Sequence, residues 1–130
     1  MAELVFAMEL RGNAAPVEGR EGTFRAQTTG RGPGGERVTF ESEVVLGGEG
    51  FNETGSIDYS GRGKVRFQTK GVGYIEPSPV SDLQCGAVIW RITEGEGEFR
   101  GASGYITSNF TFSASGELWI TNTLEYTHLS

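Results

Sequence analysis

The sequence predicts an all-β fold, one antiparallel barrel of about eight strands spanning residues 1–130. Three observations carry that prediction: apolar residues alternate with a period of two, glycine clusters separate the alternating runs, and no window places apolar residues at helical spacing. Glycine supplies 21 of 130 residues, roughly twice the usual 7%. In helix interiors each would cost about 1 kcal/mol relative to Ala, so the excess belongs in strand ends and turns. Only four prolines and no Gly-X-Y period exclude collagen. A hydrophobic fraction of 36% with 11% aromatics speaks against disorder, and the length has room for one core.

The elements follow in order. Leu4, Phe6, Met8 and Leu10 share one parity and predict a first strand with one buried face. Gly22–Thr28 is a second candidate, and Val38, Phe40 and Val44 mark a third. Gly55–Tyr59, then Val65 with Phe67, then Val88, Trp90 and Ile92 continue the series. Gly104–Ser113 and Glu117–Thr127 complete it, the last with Leu118, Ile120, Leu124 and Tyr126 on one face. Between them fall Gly30–Gly35, Gly47–Gly50, Ser60–Gly63, Gly95–Gly97 and Ser115–Gly116, read as turns because glycine takes positive φ freely. The longest irregular stretch is Gly71–Cys85, in which Val80–Leu83 could form a single helical turn after Pro77 and Pro79. Short connections and no visible linker favour an up-and-down barrel over a sandwich, since closure removes unpaired edges.

The charge sum of −6, from 11 basic and 17 acidic side chains, has no Lys/Arg block within it. Nucleic acid and anionic membrane surfaces are therefore not expected partners. Met1–Leu10 has no basic region before its apolar run, and with Glu3 and Glu9 it does not read as a secretory signal. Cys85 is the only cysteine, which makes the cytoplasm the expected compartment. In that setting the triplets Asn52-Glu53-Thr54 and Asn109-Phe110-Thr111 read as coincidental glycosylation patterns.

The most specific string is Gly95-Glu96-Gly97-Glu98-Phe99-Arg100-Gly101-Ala102-Ser103-Gly104, lying between two strands. Its glycines permit a tight reversal and Phe99 is placed to plug the core. At Gly95, Gly97, Phe99, Gly101, Ala102 and Gly104 it resembles the turn of the allene oxide cyclase and dirigent type of barrel, departing at Glu96, where that family more often has Thr. The resemblance covers roughly residues 86–127 and extends over the rest only through strand count; small bacterial proteins with this calycin-like barrel are similar in length. It implies a barrel whose lumen can hold a small organic molecule, cofactor-free isomerisation or cyclisation as one activity, and a homo-oligomer, since such barrels often associate. The motif itself carries no catalytic group, so it speaks to fold more than to reaction.

The side-chain inventory narrows the chemistry. His128 is the only histidine and stands near the C-terminus, a poor basis for a Ser-His or Cys-His mechanism. One His and one Cys cannot supply a transition-metal site, no Asp-x-Asp-x-Asp spacing suggests calcium, and no phosphate loop is present, so neither metal nor cofactor is expected. Glu94, Glu96 and Glu98, like Glu41 and Glu43, read as solvated outer faces, and Cys85 as a small buried hydrophobe. By parity Arg25, Arg66 and Arg91 point outward. On the apolar parity the polar or amphipathic members are Ser42, Tyr59, Trp90, Asn122 and Tyr126. With Phe40 and Phe67 they predict a mostly apolar ligand site, in which Asn122 and Tyr126 are the catalytic candidates and Tyr59, Trp90, Phe40, Phe67 and Ser42 the binding ones. Two readings remain open: a lumen that takes a small apolar organic molecule, or a filled barrel that acts as a scaffold through protein contacts.

Overall fold

A computed structural model describes residues 2–128, and the side chains of residues 6–127. Leu4 and His128 thus lie outside the described side chains. The strands are β1 (Ala2–Pro16), β2 (Thr23–Arg31), β3 (Arg37–Gly47), β4 (Gly50–Tyr59), β5 (Gly63–Thr69), β6 (Tyr74–Pro77), β7 (Leu83–Gly97), β8 (Ser103–Ser113) and β9 (Glu117–His128). Each pairs antiparallel with its neighbour in the order β5-β4-β3-β2-β1-β9-β8-β7-β6, and a further β5–β7 ladder closes the sheet into an eight-strand barrel.

Nine strands make eight staves because β5 and β6 share one edge of β7. β5 pairs with Trp90–Gly97 and β6 with Gln84–Ala87. The linking Gly71–Gly73 segment stays attached to the wall through a bridge between Gly73 and Phe51. The predicted irregular stretch Gly71–Cys85 therefore contains a short strand, and β7 already includes Cys85. Val80–Leu83 is not helical: a single Leu83 N–H to Val80 carbonyl bond of 3.3 Å closes a β-turn there, with Asp82 at φ 65.

The alternation predicted from sequence becomes the inside and outside of the barrel. Leu10, Val38, Phe40, Ile57, Val65, Ile106 and Leu124 are fully buried, while Arg25, Arg66 and Arg91 face out. The turn motif sits one step later than its glycines suggest. Gly95 and Gly97 remain in β7, and the reversal occupies residues 98–102. A Cβ at Gly95 would collide with the carbonyl oxygen of Phe99, and Gly97 takes φ 66 where the chain leaves the ladder. These two positions let Phe99 fold back into the barrel, where it is completely buried.

Phe99 seals that end. Its ring centre lies 4.9 Å from Tyr59 and 5.4 Å from Tyr126, and Phe6 meets Tyr59 edge-on at 5.8 Å. The Arg62 guanidinium caps the plug at 5.7 Å from the Phe99 ring centre, held by Glu98 at 3.2 Å and Glu36 at 3.4 Å. The opposite end carries the residue 17–22 turn, the β3–β4 hairpin, the β6–β7 loop and the β8–β9 turn. It has no such plug.

Candidate functional site

From the unplugged end a cavity of about 290 Å³ runs into the barrel, at the small end of the roughly 300–1,000 Å³ usual for ligand pockets. Its upper wall is apolar apart from Gln84. Phe51 and Phe110 meet edge-on with ring centres 5.8 Å apart, and Phe24 and Phe112 do so at 6.4 Å. Ile75 of β6 and Leu118 of β9 complete this wall. The innermost residue of each strand is different in character: β4 contributes Glu53, β7 Trp90 and β8 Ser108, beside Ala26 and Ile120.

Glu53 is the residue that the sequence reading missed. It is 6% exposed and shares the inward parity of Phe51, Ile57 and Tyr59 on β4. Ser42 Oγ donates to its Oε2 at 2.6 Å, and Trp90 Nε1 donates to its Oε1 at 3.1 Å. Its backbone is anchored by one hydroxyl: Glu53 N–H donates to Thr69 Oγ1 at 2.7 Å, and Thr69 Oγ1 donates to the Glu53 carbonyl at 3.0 Å. Thr69 follows the last β4–β5 register pair, Thr54 with Gln68, so a side chain continues the attachment where the ladder stops. Burial drives the Glu53 carboxyl up to about 7, against the two hydrogen bonds from Ser42 and Trp90, which favour the ionised form.

Beneath the carboxyl the barrel is filled. Trp90 stacks on Phe67 with ring centres 4.3 Å apart, and Phe40 lies 5.4 Å from Trp90 and 5.7 Å from Phe67. The predicted binding residues Phe40, Phe67 and Trp90 are thus brought together, as a packed stack of which Trp90 alone reaches the cavity wall. Ser42 acts at the site indirectly, through its bond to Glu53. The lumen is packed at its centre and at the plugged end, and open at the other.

The remaining candidates sit away from the cavity. Tyr59 and Tyr126 belong to the plug around Phe99, and burial pushes both phenols up. Asn122 and Tyr126 do face inward from one strand, but Leu124 separates them and neither lines the cavity. Asn122 is buried in register with Ser108 and Met8, its amide atoms without a hydrogen bond to a protein group, as are Ser108 Oγ, Thr28 Oγ1 and Tyr59 OH. Period-two parity placed these side chains inside without showing which end of the barrel they occupy. Cys85 is half-buried and lies outside this cavity. Among the described residues no cluster of three His, Cys, Asp or Glu is grouped to hold a metal.

A protonated Glu53 can donate one hydrogen bond and an ionised one can only accept. An apolar space ending on such a group can orient a small molecule by a single polar contact and exchange a proton with it near neutral pH. Comparison with family models, curated proteins and solved structures finds no match to this chain.

Proposed function

We propose that the barrel binds a small, mostly apolar organic molecule, which enters by the unplugged end and places a polar group against Glu53. The observation that carries this reading is the buried carboxyl at the inner end of a mostly apolar cavity. Aliphatic and aromatic walls supply affinity by removing apolar surface from water, at roughly 25 cal/mol per Å², while one fixed carboxyl supplies orientation. A scaffold with a filled barrel accounts for the plugged end but has no use for the space beside Glu53. Cofactor-free isomerisation or cyclisation is a second reading, favoured by the place of the Glu53 carboxyl in the cavity wall, where burial pushes it up to about 7 and so suits it to general acid–base catalysis.

Titration with the neutral fluorescent probe N-phenyl-1-naphthylamine tests the binding reading. Saturable uptake is expected in the native protein. It is expected to be lost in Ala14→Trp, where an indole fills the cavity mouth from a half-buried position. Uptake that survives Ala14→Trp with the fold intact by circular dichroism, or no saturable uptake at all, refutes it.

A further inference from the structure

Glu53 differs from the other paired carboxylates of the barrel in having no cation. Glu9, Glu36, Glu43, Glu94, Glu96 and Glu98 each lie within 4 Å of an arginine, all on the outer face or at the plugged end. Among the described residues, the Glu53 carboxylate has only the hydroxyl of Ser42 and the indole N–H of Trp90, and nothing else that could compensate a charge faces it. β3 presents Ser42 and Val44, β5 Phe67 and Thr69, β6 Ile75, β7 Trp90 and β8 Ser108 and Phe110, none of them charged. The ionisable side chains flanking these residues in sequence, Glu41, Glu43, Arg66, Lys70, Glu76 and Arg91, lie on the outer face.

From this geometry we infer that the ligand is a small monoamine with an apolar, aromatic-sized body, bound as its ammonium with the charged nitrogen on Glu53. This inference rests on the lumen reading above and names its substrate class. A carboxylate offers about four acceptor positions, and Ser42 and Trp90 use two of them. An ammonium brings three donors and no acceptor, which complements what remains. It also supplies the missing countercharge in a low-dielectric site, where an isolated carboxylate is costly. A ligand carboxylate would meet like charge, and a bare carbonyl would lose Glu53 as a donor once it ionises, leaving only the neutral Ser108 hydroxyl and Gln84 amide of the wall. The rings of Trp90, Phe51 and Phe110 line the same cavity, and aromatic faces attract ammonium groups. The net charge of −6 favours approach of a cation over an anion.

The test is competition for bound N-phenyl-1-naphthylamine by three compounds of one size: 2-phenylethylamine, 2-phenylethanol and 3-phenylpropionate. At pH 8 the amine is expected to displace the probe at a concentration at least tenfold lower than the alcohol. Because burial pushes the Glu53 carboxyl up to about 7, while the amine stays protonated throughout, amine affinity is expected to rise roughly 30-fold from pH 5.5 to pH 8, with the alcohol nearly flat. Glu53→Gln should abolish the amine's advantage and leave the alcohol's affinity in place; the native pH profile is an independent readout should that variant fold poorly. Equal displacement by amine and alcohol at pH 8, or a flat amine profile, overturns the amine inference and leaves the lumen reading standing. If neither the fluorescent probe nor 2-phenylethylamine binds, by fluorescence or by calorimetry, both fall.

Discussion

Substituting Glu53 by Gln isolates the energetic consequence of the buried carboxyl. Folding raises this group from 4.5 to about 7. Between those values the folded protein therefore holds a proton that the unfolded chain has released, and stability falls as pH rises through the window. A shift of this size corresponds to about 2–3 kcal/mol of stability lost between pH 5 and pH 8, at 1.36 kcal/mol per unit. Gln imitates the protonated acid at every pH: its carbonyl can accept from Trp90 Nε1, and its amide can donate to Ser42 Oγ. Urea unfolding, followed by tryptophan fluorescence at pH 5, 6, 7 and 8, gives both profiles. Subtracting the variant from the native protein removes surface carboxylates such as Glu43, whose bond to Arg20 holds it below the usual range and so acts in the opposite direction. The native protein should lose about 2–3 kcal/mol relative to Glu53→Gln by pH 8. Parallel profiles would show that Glu53 titrates as an ordinary exposed carboxyl and would refute its assignment as a buried, cation-free group.

Three further substitutions probe the surroundings. Ser42→Ala removes the stronger of the two hydrogen bonds that favour ionised Glu53, so the carboxyl should move above 7; the same urea series would show the stability loss displaced to higher pH, and an unmoved midpoint would contradict it. Thr69→Val removes the hydroxyl that both accepts from the Glu53 N–H and donates to its carbonyl. A loss of roughly 1–3 kcal/mol is expected from the buried groups left unpaired, measured by thermal unfolding, together with weaker probe binding as β4 loosens; unchanged stability would argue against the anchor. Phe99→Ala should cost about 3–5 kcal/mol as an aromatic core deletion, and probe uptake at the far end should persist in the folded fraction if plug and cavity are separate.

The barrel was legible because its two strongest signals are local. Alternation such as Val88, Trp90 and Ile92 sets the inward face of a strand whatever it pairs with, and the Gly95–Gly104 string carries its own turn. The site was less legible for two identifiable reasons. The β4 reading began at Gly55, because Gly50–Thr54 looks like a turn followed by a glycosylation triplet. Extending the same parity two residues upstream would have put Glu53 beside Ile57 and Tyr59 on the inner face. Position along the barrel axis was the other obstacle. Tyr126 and Trp90 have the same parity, but one lies at the plug and the other at the cavity floor, and only the cross-strand register decides that. β6 was missed because four residues give alternation nothing to repeat.

The asymmetry of the barrel also decides how the cost of Glu53 should be understood. Total stability for a domain of this size is about 5–15 kcal/mol, so a penalty of about 2–3 kcal/mol above neutral pH is a sizeable fraction. It falls on a position where an apolar residue would pack against Trp90 and Phe51 without it. The plugged end shows that this fold closes with aromatic rings: Phe99, Tyr59, Tyr126 and Phe6 pack ring against ring there. The same solution at the other end would remove the cavity and the penalty together. Instead the chain places a carboxyl, holds it by Ser42, Trp90 and Thr69, and surrounds it with apolar wall. Each of those three contacts makes its position more definite, and none supplies a countercharge. That combination suits a group whose partner arrives from outside the barrel, and in the ligand-bound state a cationic partner would offset the penalty that the free protein carries.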